Sequence, residues 1–290
     1  HHHKNLNGIK KMCSSLDIEL EISYDLNRVI TNFDYDILIC NMSYVDPDLI
    51  PENIKIIYGP QHWVFPEGKL VGMLNKKYEK RCVYNTLSKW NENVFLEMVG
   101  SLTVPLYQFP FAVDTDLFIP GYSEKKIDCI LYVKRRSNIL VNEVIKMLKN
   151  KGITYIIFNY GNYTENDYLL SLKKCKFMIS LDAHESQGFA LQEAMSCNVP
   201  LLVLDAKSMH DETNNSNFTY SYLHDKKLLA TSVPYWSEKC GIKITDINKM
   251  SESIDNMMLN YKKYEPRNYI INTLSDKVCM QKILDYFNLK

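Results

Sequence analysis

At 290 residues the chain is long enough to bury a substantial core, and its length fits two modest α/β domains better than one large one. Lys+Arg and Asp+Glu both number 34, so the formal charge is zero; this argues against a polyanion such as bulk DNA as partner but leaves room for a small phosphate ligand held by a few local cations. No apolar run approaches the roughly 18–20 residues of a membrane-spanning helix, residues 1–12 lack the apolar stretch of a secretory signal, and the eight cysteines stand singly without a CxxC pair or a His/Cys cluster, so reduced, buried thiols in a cytoplasmic protein and no zinc site are expected.

Short β-branched runs alternate with segments of helical period, the pattern of βα repeats around a parallel sheet. The chain opens on a helix, Asn7–Ser14, and strands are predicted at Asp17–Ser23, Asp36–Cys40, Ile54–Gly59, Cys82–Ser88 and Pro105–Ala112. A helix is predicted over Lys89–Gly100, where Val94, Phe95, Met98 and Val99 recur at helical spacing. Val113–Glu124, with Pro120 and Gly121, reads as an interdomain linker. A second series follows, with strands at Ile127–Val133, Thr154–Tyr160, Cys175–Leu181 and Leu201–Asp205. Its helices are predicted at Ser137–Lys149, with Ile139, Leu140, Val144, Ile145 and Leu148 on one side, at Gly188–Cys197, at about Asp246–Tyr264, and at Ser275–Asn288 after Pro266.

The most informative stretch runs from Ser180 to Asp205: an apolar strand enters a polar loop, Gly188 opens a helix, and Pro200 precedes the next strand. A helix that starts at glycine presents free backbone N–H groups and the positive end of its dipole, an anion site that a pyrophosphate can approach closely. Glu185 lies just before that helix and Glu193 lies about 7.5 Å up its axis, at ~1.5 Å per residue. A ligand with phosphates at the helix start meets one carboxylate at each end, and carboxylates accept hydrogen bonds from vicinal hydroxyls such as those of a sugar. Taken alone, two glutamates at this spacing read more readily as surface or pre-helix acids favoured by the dipole.

The segment Glu185–Glu193 resembles the E-x7-E motif of retaining GT-B glycosyltransferases, especially glycosyltransferase family 4. Glu185, Gly188, Glu193, Ala194, Met195 and Pro200 stand in register with the family pattern, whereas Gln187 stands where the family usually has Phe. Phe111–Pro120 also resembles the family's interdomain segment, and the likeness covers most of residues 54–262. It implies an α/β chain of two Rossmann-like domains with parallel sheets facing across a cleft: an acceptor-side domain at 1–117, joined by a C-terminal helix at about 270–290, and a nucleotide-sugar donor domain at 118–269.

The resemblance further implies that Glu185 contacts the donor sugar, that Glu193 binds the ribose, and that the backbone of Gln187, Gly188 and Phe189 holds the distal phosphate. Lys134, Arg135 and Arg136 end a strand at the sheet edge where α/β folds bind anions, and fixed cations there stabilise a leaving diphosphate. Arg135 matches the family's Arg, Lys134 replaces its Gly, and the family's later Lys is missing near Val141; which two of the three cations touch phosphate is left open. His62 is assigned the family's His beside the donor sugar, with Trp63 next to it; Tyr160 is placed near the base and His184 near the pocket. The expected reaction moves a hexose-type sugar from a nucleotide-diphosphate sugar, such as a UDP- or GDP-sugar, to a hydroxyl acceptor on a glycan, lipid or protein, with no metal and no cofactor. A non-catalytic nucleotide-sugar-binding protein and a nucleotide-sugar epimerase on the same fold are the alternatives. Nucleic acid is not an expected partner, while peripheral membrane contact stays open. The strand and glycine-rich loop that family members carry before the first helix are not in this sequence, so either upstream residues are absent or the first domain is a minimal one.

Overall fold

The computed structural model describes residues 3–41, 43–60, 81–100, 102–122, 124–208 and 229–289. Its backbone divides into two compact units, His1–Ala112 with Asp276–Lys290, and Val113–Ser275. Among the described residues, no helix is long and apolar enough to cross a membrane.

The first unit is built on four parallel strands in the order β1-β2-β3-β4: β1 (Ile37–Cys40), β2 (Lys55–Tyr58), β3 (Cys82–Asn85) and β4 (Leu106–Tyr107). Parallel strands covered on both faces read as unbroken apolar runs, and Ile54, Ile56, Tyr58, Cys82 and Tyr84 all lie in one buried cluster with Phe95 and Val104. Phe95 comes from α3 (Lys89–Val99), and its ring lies 4.8 Å from that of Tyr84. The helices α1 (His3–Ser14) and α2 (Leu26–Val29) precede the sheet, and α9 (Asp276–Phe287) packs against α1. A Cβ at Gly8 would sit 3.0 Å from Phe111 Cβ and 3.2 Å from Ala112 O, so only glycine lets α1 lie this close to that strand exit.

Two expectations for this unit fail. Residues 18–25 form no strand; the alternating Leu20, Ile22 and Tyr24 are exposed, and without a ladder or a packed face alternation alone does not hold a strand. The predicted strand Pro105–Ala112 shrinks to Leu106–Tyr107. Pro110 has no N–H to donate, and at Phe109 the side chain of Asn85 replaces the ladder, donating to the carbonyl (2.8 Å) and accepting from the amide (3.0 Å).

The second unit carries five parallel strands in the order β6-β5-β7-β8-β9. They are β5 (Ile127–Lys134), β6 (Tyr155–Asn159), β7 (Cys175–Asp182), β8 (Leu201–Leu204) and β9 (Gly241–Ile244). The crossovers are α4 (Asn138–Asn150), α5 (Glu165–Leu172) and α6 (Phe189–Ser196), followed by α7 (Met250–Asn260) and α8 (Pro266–Leu274). Leu131, Phe177, Ile179 and Leu202 from the sheet meet Val144 and Leu148 of α4 and Met250, Ile254 and Met257 of α7 in one core. The stripe predicted for α4 is one residue too wide, because Ile139 in its first turn is 82% exposed. The predicted helix at 246–264 is α7 flanked by two 3-10 turns, Ile247–Lys249 and Tyr261–Lys263. All eight cysteines are buried and unpaired; burial pushes their thiols up, to about 12 at Cys40, Cys175, Cys197 and Cys279.

Candidate functional site

The carboxyl-terminal edge of the second sheet gathers the charged residues. Lys134 ends β5 and Asp182 ends β7, and the two are partners on the last rung of the β5·β7 ladder. The chain then turns through Ala183 and His184 to Glu185, whose carboxylate forms an ion pair with the Lys134 ammonium. Lys134 is 8% exposed and Glu185 16%, and Lys134 Nζ also stands 4.4 Å above the centre of the Tyr160 ring.

Electrostatics within this group are settled by proximity. Burial drives the Asp182 carboxyl well above the ordinary range, and the neighbouring Glu185 drives it further. Burial alone would push Glu185 up as well, but Lys134 and a hydrogen bond with Asp182 outweigh it and hold Glu185 below the usual carboxylate range. Burial pulls Lys134 down, and Glu185 and Asp182 more than offset that, so the ammonium stays charged. Two acids can share a hydrogen bond only if one carries the proton, and that one is Asp182. Its Oδ1 accepts from Ala183 N at 2.7 Å, and its Oδ2 is buried with no hydrogen-bond partner, so no donor favours the ionised form at that oxygen. The nearby Tyr132 hydroxyl is raised by burial and then by Glu185 and Asp182, so it too is neutral.

Gly188 follows at φ 85°, ψ 51° and serves as N-cap of α6. This left-handed backbone is why glycine occupies the position; a Cβ there would meet Glu185 Cβ at an ordinary 3.5 Å, so space is not the constraint. No side chain caps the helix. Gln187 instead donates to Gln192 Oε1 (3.1 Å), and Gln192 donates back to the Gln187 carbonyl (2.6 Å), bracing the loop against the first turn. Glu185 thus lies three residues before Gly188, close in sequence to the positive end of the α6 dipole. Glu193 is 4% exposed on the inner face of α6, which rules out an ordinary surface glutamate. It lies near Tyr168, whose hydroxyl donates to Ala190 O at 2.7 Å.

The three cations at the end of β5 diverge. Arg135 takes a left-handed backbone (φ 55°), which interrupts the strand alternation, and it is exposed. Arg136 turns inward, donating from Nε to Asp182 O (2.7 Å) and from Nη2 to Leu204 O (2.8 Å), so it ties the ends of β7 and β8 together. Strict strand alternation would put Lys134 and Arg136 on one side; the turn at Arg135 separates them. His184 is buried at 7% exposure, Phe189 is half-buried, and Tyr160 is half exposed. Tyr163 is packed edge-on to Phe158 at 5.2 Å, in an aromatic cluster with Tyr132 and Tyr168. His62 and Trp63 lie outside the described residues.

Sequence reasoning missed one part of this edge. Thr231 O accepts the Glu185 amide at 3.1 Å, and Asp205, one residue past β8, gathers donors from Thr231 and Ser232. An aspartate closing a parallel strand was the one visible signal; its partners are 26 and 27 residues away in sequence. Among the described residues, no group of three or more His, Cys, Asp or Glu side chains is placed to hold a metal ion.

No family model and no curated protein matches the chain. Solved structures do. A mutant TarM from S. aureus, crystallised with fondaparinux, alpha-GlcNAc-glycerol and UDP, aligns at TM-score 0.54 and 17% identity over 82% of this chain and 51% of its own, so the chain spans about half the length of TarM. A glycosyltransferase from Rickettsia africae aligns at TM-score 0.57 and 12% identity, covering 96% of this chain and 86% of its own. The lipopolysaccharide outer core galactosyltransferase WaaB in its apo form aligns at TM-score 0.55 and 12% identity over 98% of this chain and 80% of its own. With two all-parallel sheets in two units and these neighbours, the chain has the α/β fold of GT-B glycosyltransferases.

Proposed function

We propose that the chain is a retaining glycosyltransferase resembling family 4, which moves a hexose-type sugar from a nucleotide-diphosphate donor to a hydroxyl acceptor. The observation that carries this reading is the junction of Lys134, Asp182, Glu185 and the uncapped start of α6, at the sheet edge where α/β folds bind phosphates. TarM and HepE of Anabaena were both crystallised with UDP, and WaaB is named a galactosyltransferase, which supports a nucleotide-sugar donor.

In this reading the second unit binds the donor and the first the acceptor. The diphosphate lies at the α6 N-terminus, where Lys134 and Arg135 meet it, and Arg136 stays in the sheet. As the bond from C1 of the sugar to phosphate oxygen breaks, negative charge grows on the diphosphate. Fixed cations and helix amides stabilise that charge more in the transition state than in the ground state. The acceptor oxygen bonds to C1 and its proton leaves with the diphosphate. Glu185, ionised, accepts hydrogen bonds from sugar hydroxyls, and Glu193 serves the ribose. Lys134 exchanges its pairing with Glu185 for phosphate when the donor enters. These groups supply the charge neutralisation without a metal. Eight unpaired, buried thiols suit a reducing compartment, and we place the protein in the cytoplasm.

Incubation with UDP-, GDP- and TDP-sugars tests the reading. Slow hydrolysis of one donor, with the released sugar keeping its anomeric configuration, is the expected result. Glu185→Ala should abolish that hydrolysis and leave nucleotide affinity within a few-fold. Interconversion of the sugar would indicate an epimerase instead, and hydrolysis that survives Glu185→Ala would remove the role given to that residue.

A further inference from the structure

Asp205 is 8% exposed and stands just beyond the end of β8. Its Oδ1 accepts from Ala206 N (2.9 Å), Ser232 N (2.7 Å), Ser232 Oγ (3.0 Å) and Thr231 Oγ1 (2.9 Å), and its Oδ2 lies 3.0 Å from the same Thr231 hydroxyl. Lys243 Nζ is 3.7 Å from Oδ2. A carboxylate can only accept, so donors converging on one buried carboxylate make a rigid, charge-assisted junction. Thr231 Oγ1 accepts from Val233 N at 3.1 Å through a lone pair and donates its proton to Asp205, which can only accept.

The turn held in this way touches the candidate site at two points. Thr231 O accepts the Glu185 amide, and Pro234 Cδ lies 3.8 Å from where a Cβ on Gly188 would stand. We infer that Asp205 is a positioning residue: by anchoring the Thr231–Ser232 turn it sets where Glu185 presents its carboxylate. Its effect on turnover rests on the reading of Glu185 given above, whereas the mechanical link rests on the hydrogen bonds alone. Reacting geometries are steep, and a shift of ~1 Å costs up to about a hundredfold in rate.

The test compares Thr231→Val, Thr231→Ser and Asp205→Ala with the wild type in donor hydrolysis, UDP affinity and hydrogen exchange at the Glu185 amide. Thr231→Val removes one charge-assisted donor and should lower kcat about tenfold, with the donor KM and UDP affinity within about twofold. Thr231→Ser keeps the hydroxyl and should restore kcat. Exchange at the Glu185 amide should quicken about tenfold in Thr231→Val and in Asp205→Ala, and return in Thr231→Ser. If Asp205→Ala fails to fold, the Thr231 pair decides the question alone. Unchanged kcat and unchanged exchange in Thr231→Val would overturn the inference, as would failure of the serine variant to restore them. A wild type that hydrolyses no nucleotide sugar counts against the proposed function only, and the exchange comparison then still decides whether Asp205 holds Glu185.

Discussion

Asp182→Asn separates a buried neutral acid from a buried charge. In the unfolded chain an aspartate gives up its proton near about pH 3.9, whereas burial and the adjacent Glu185 keep Asp182 protonated in the native state to well above that. Native protein therefore binds one more proton than unfolded protein over that interval, and its stability falls as pH rises, by up to about 1.4 kcal/mol per pH unit. The asparagine amide copies the neutral acid: its oxygen accepts from Ala183 N, and the side chain has no proton to lose. The variant has no such proton uptake, and the depressed Glu185 is common to both proteins, so it largely cancels in the difference. Above about pH 4.5 the variant should gain steadily on the wild type as pH rises, at up to about 1.4 kcal/mol per pH unit for as long as native Asp182 keeps its proton. Calorimetry of both proteins across that range measures the gap. A gap that stays constant, or narrows as pH rises, refutes a protonated Asp182.

Lys134→Met should destabilise by about 3 kcal/mol in urea titration, because it leaves the Glu185 charge buried without its main cation; the double variant with Glu185→Leu should recover most of that loss. Arg136→Lys should lose about 2 kcal/mol and leave nucleotide affinity unchanged, since a single ammonium cannot reach both Asp182 O and Leu204 O as the forked guanidinium does. Gly188→Ala should cost about 1 kcal/mol, visible as a Tm drop of about 2–4 °C, because its φ of 85° disfavours any Cβ even though that Cβ would make only ordinary contacts. Native protein should react with a thiol reagent at none of its eight cysteines within minutes and at all of them in denaturant, since every thiol is buried.

Much of the architecture was written in local pattern. Mostly apolar runs such as Ile127–Val133 and Cys175–Leu181, interrupted only by Asp128, Lys176 and Ser180, gave both strand and parallel sheet, because strands covered on two faces are apolar along most of their length. Elements without such a run were missed. The strand Gly241–Ile244 is four residues long and begins at glycine, and the helix Glu165–Leu172 is announced mainly by its Thr164 cap, which accepts from Asp167 N at 3.1 Å. Residues 18–25 show the converse: an alternating pattern whose stability depends on a neighbour that local reasoning cannot supply.

The candidate site divides along the same line. From the chain alone came Glu185, Gly188 and Glu193 on one loop and helix, since their spacing is covalent and the need for glycine at a helix start is local. Tertiary structure alone decided that Lys134 pairs with Glu185 while Arg136 serves the sheet, that Asp182 rather than Glu185 keeps the proton, and that Asp205 reaches Thr231 and Ser232. Those outcomes depend on which strands become neighbours and how far water is excluded, and both are properties of the packed sheet edge rather than of any segment within it.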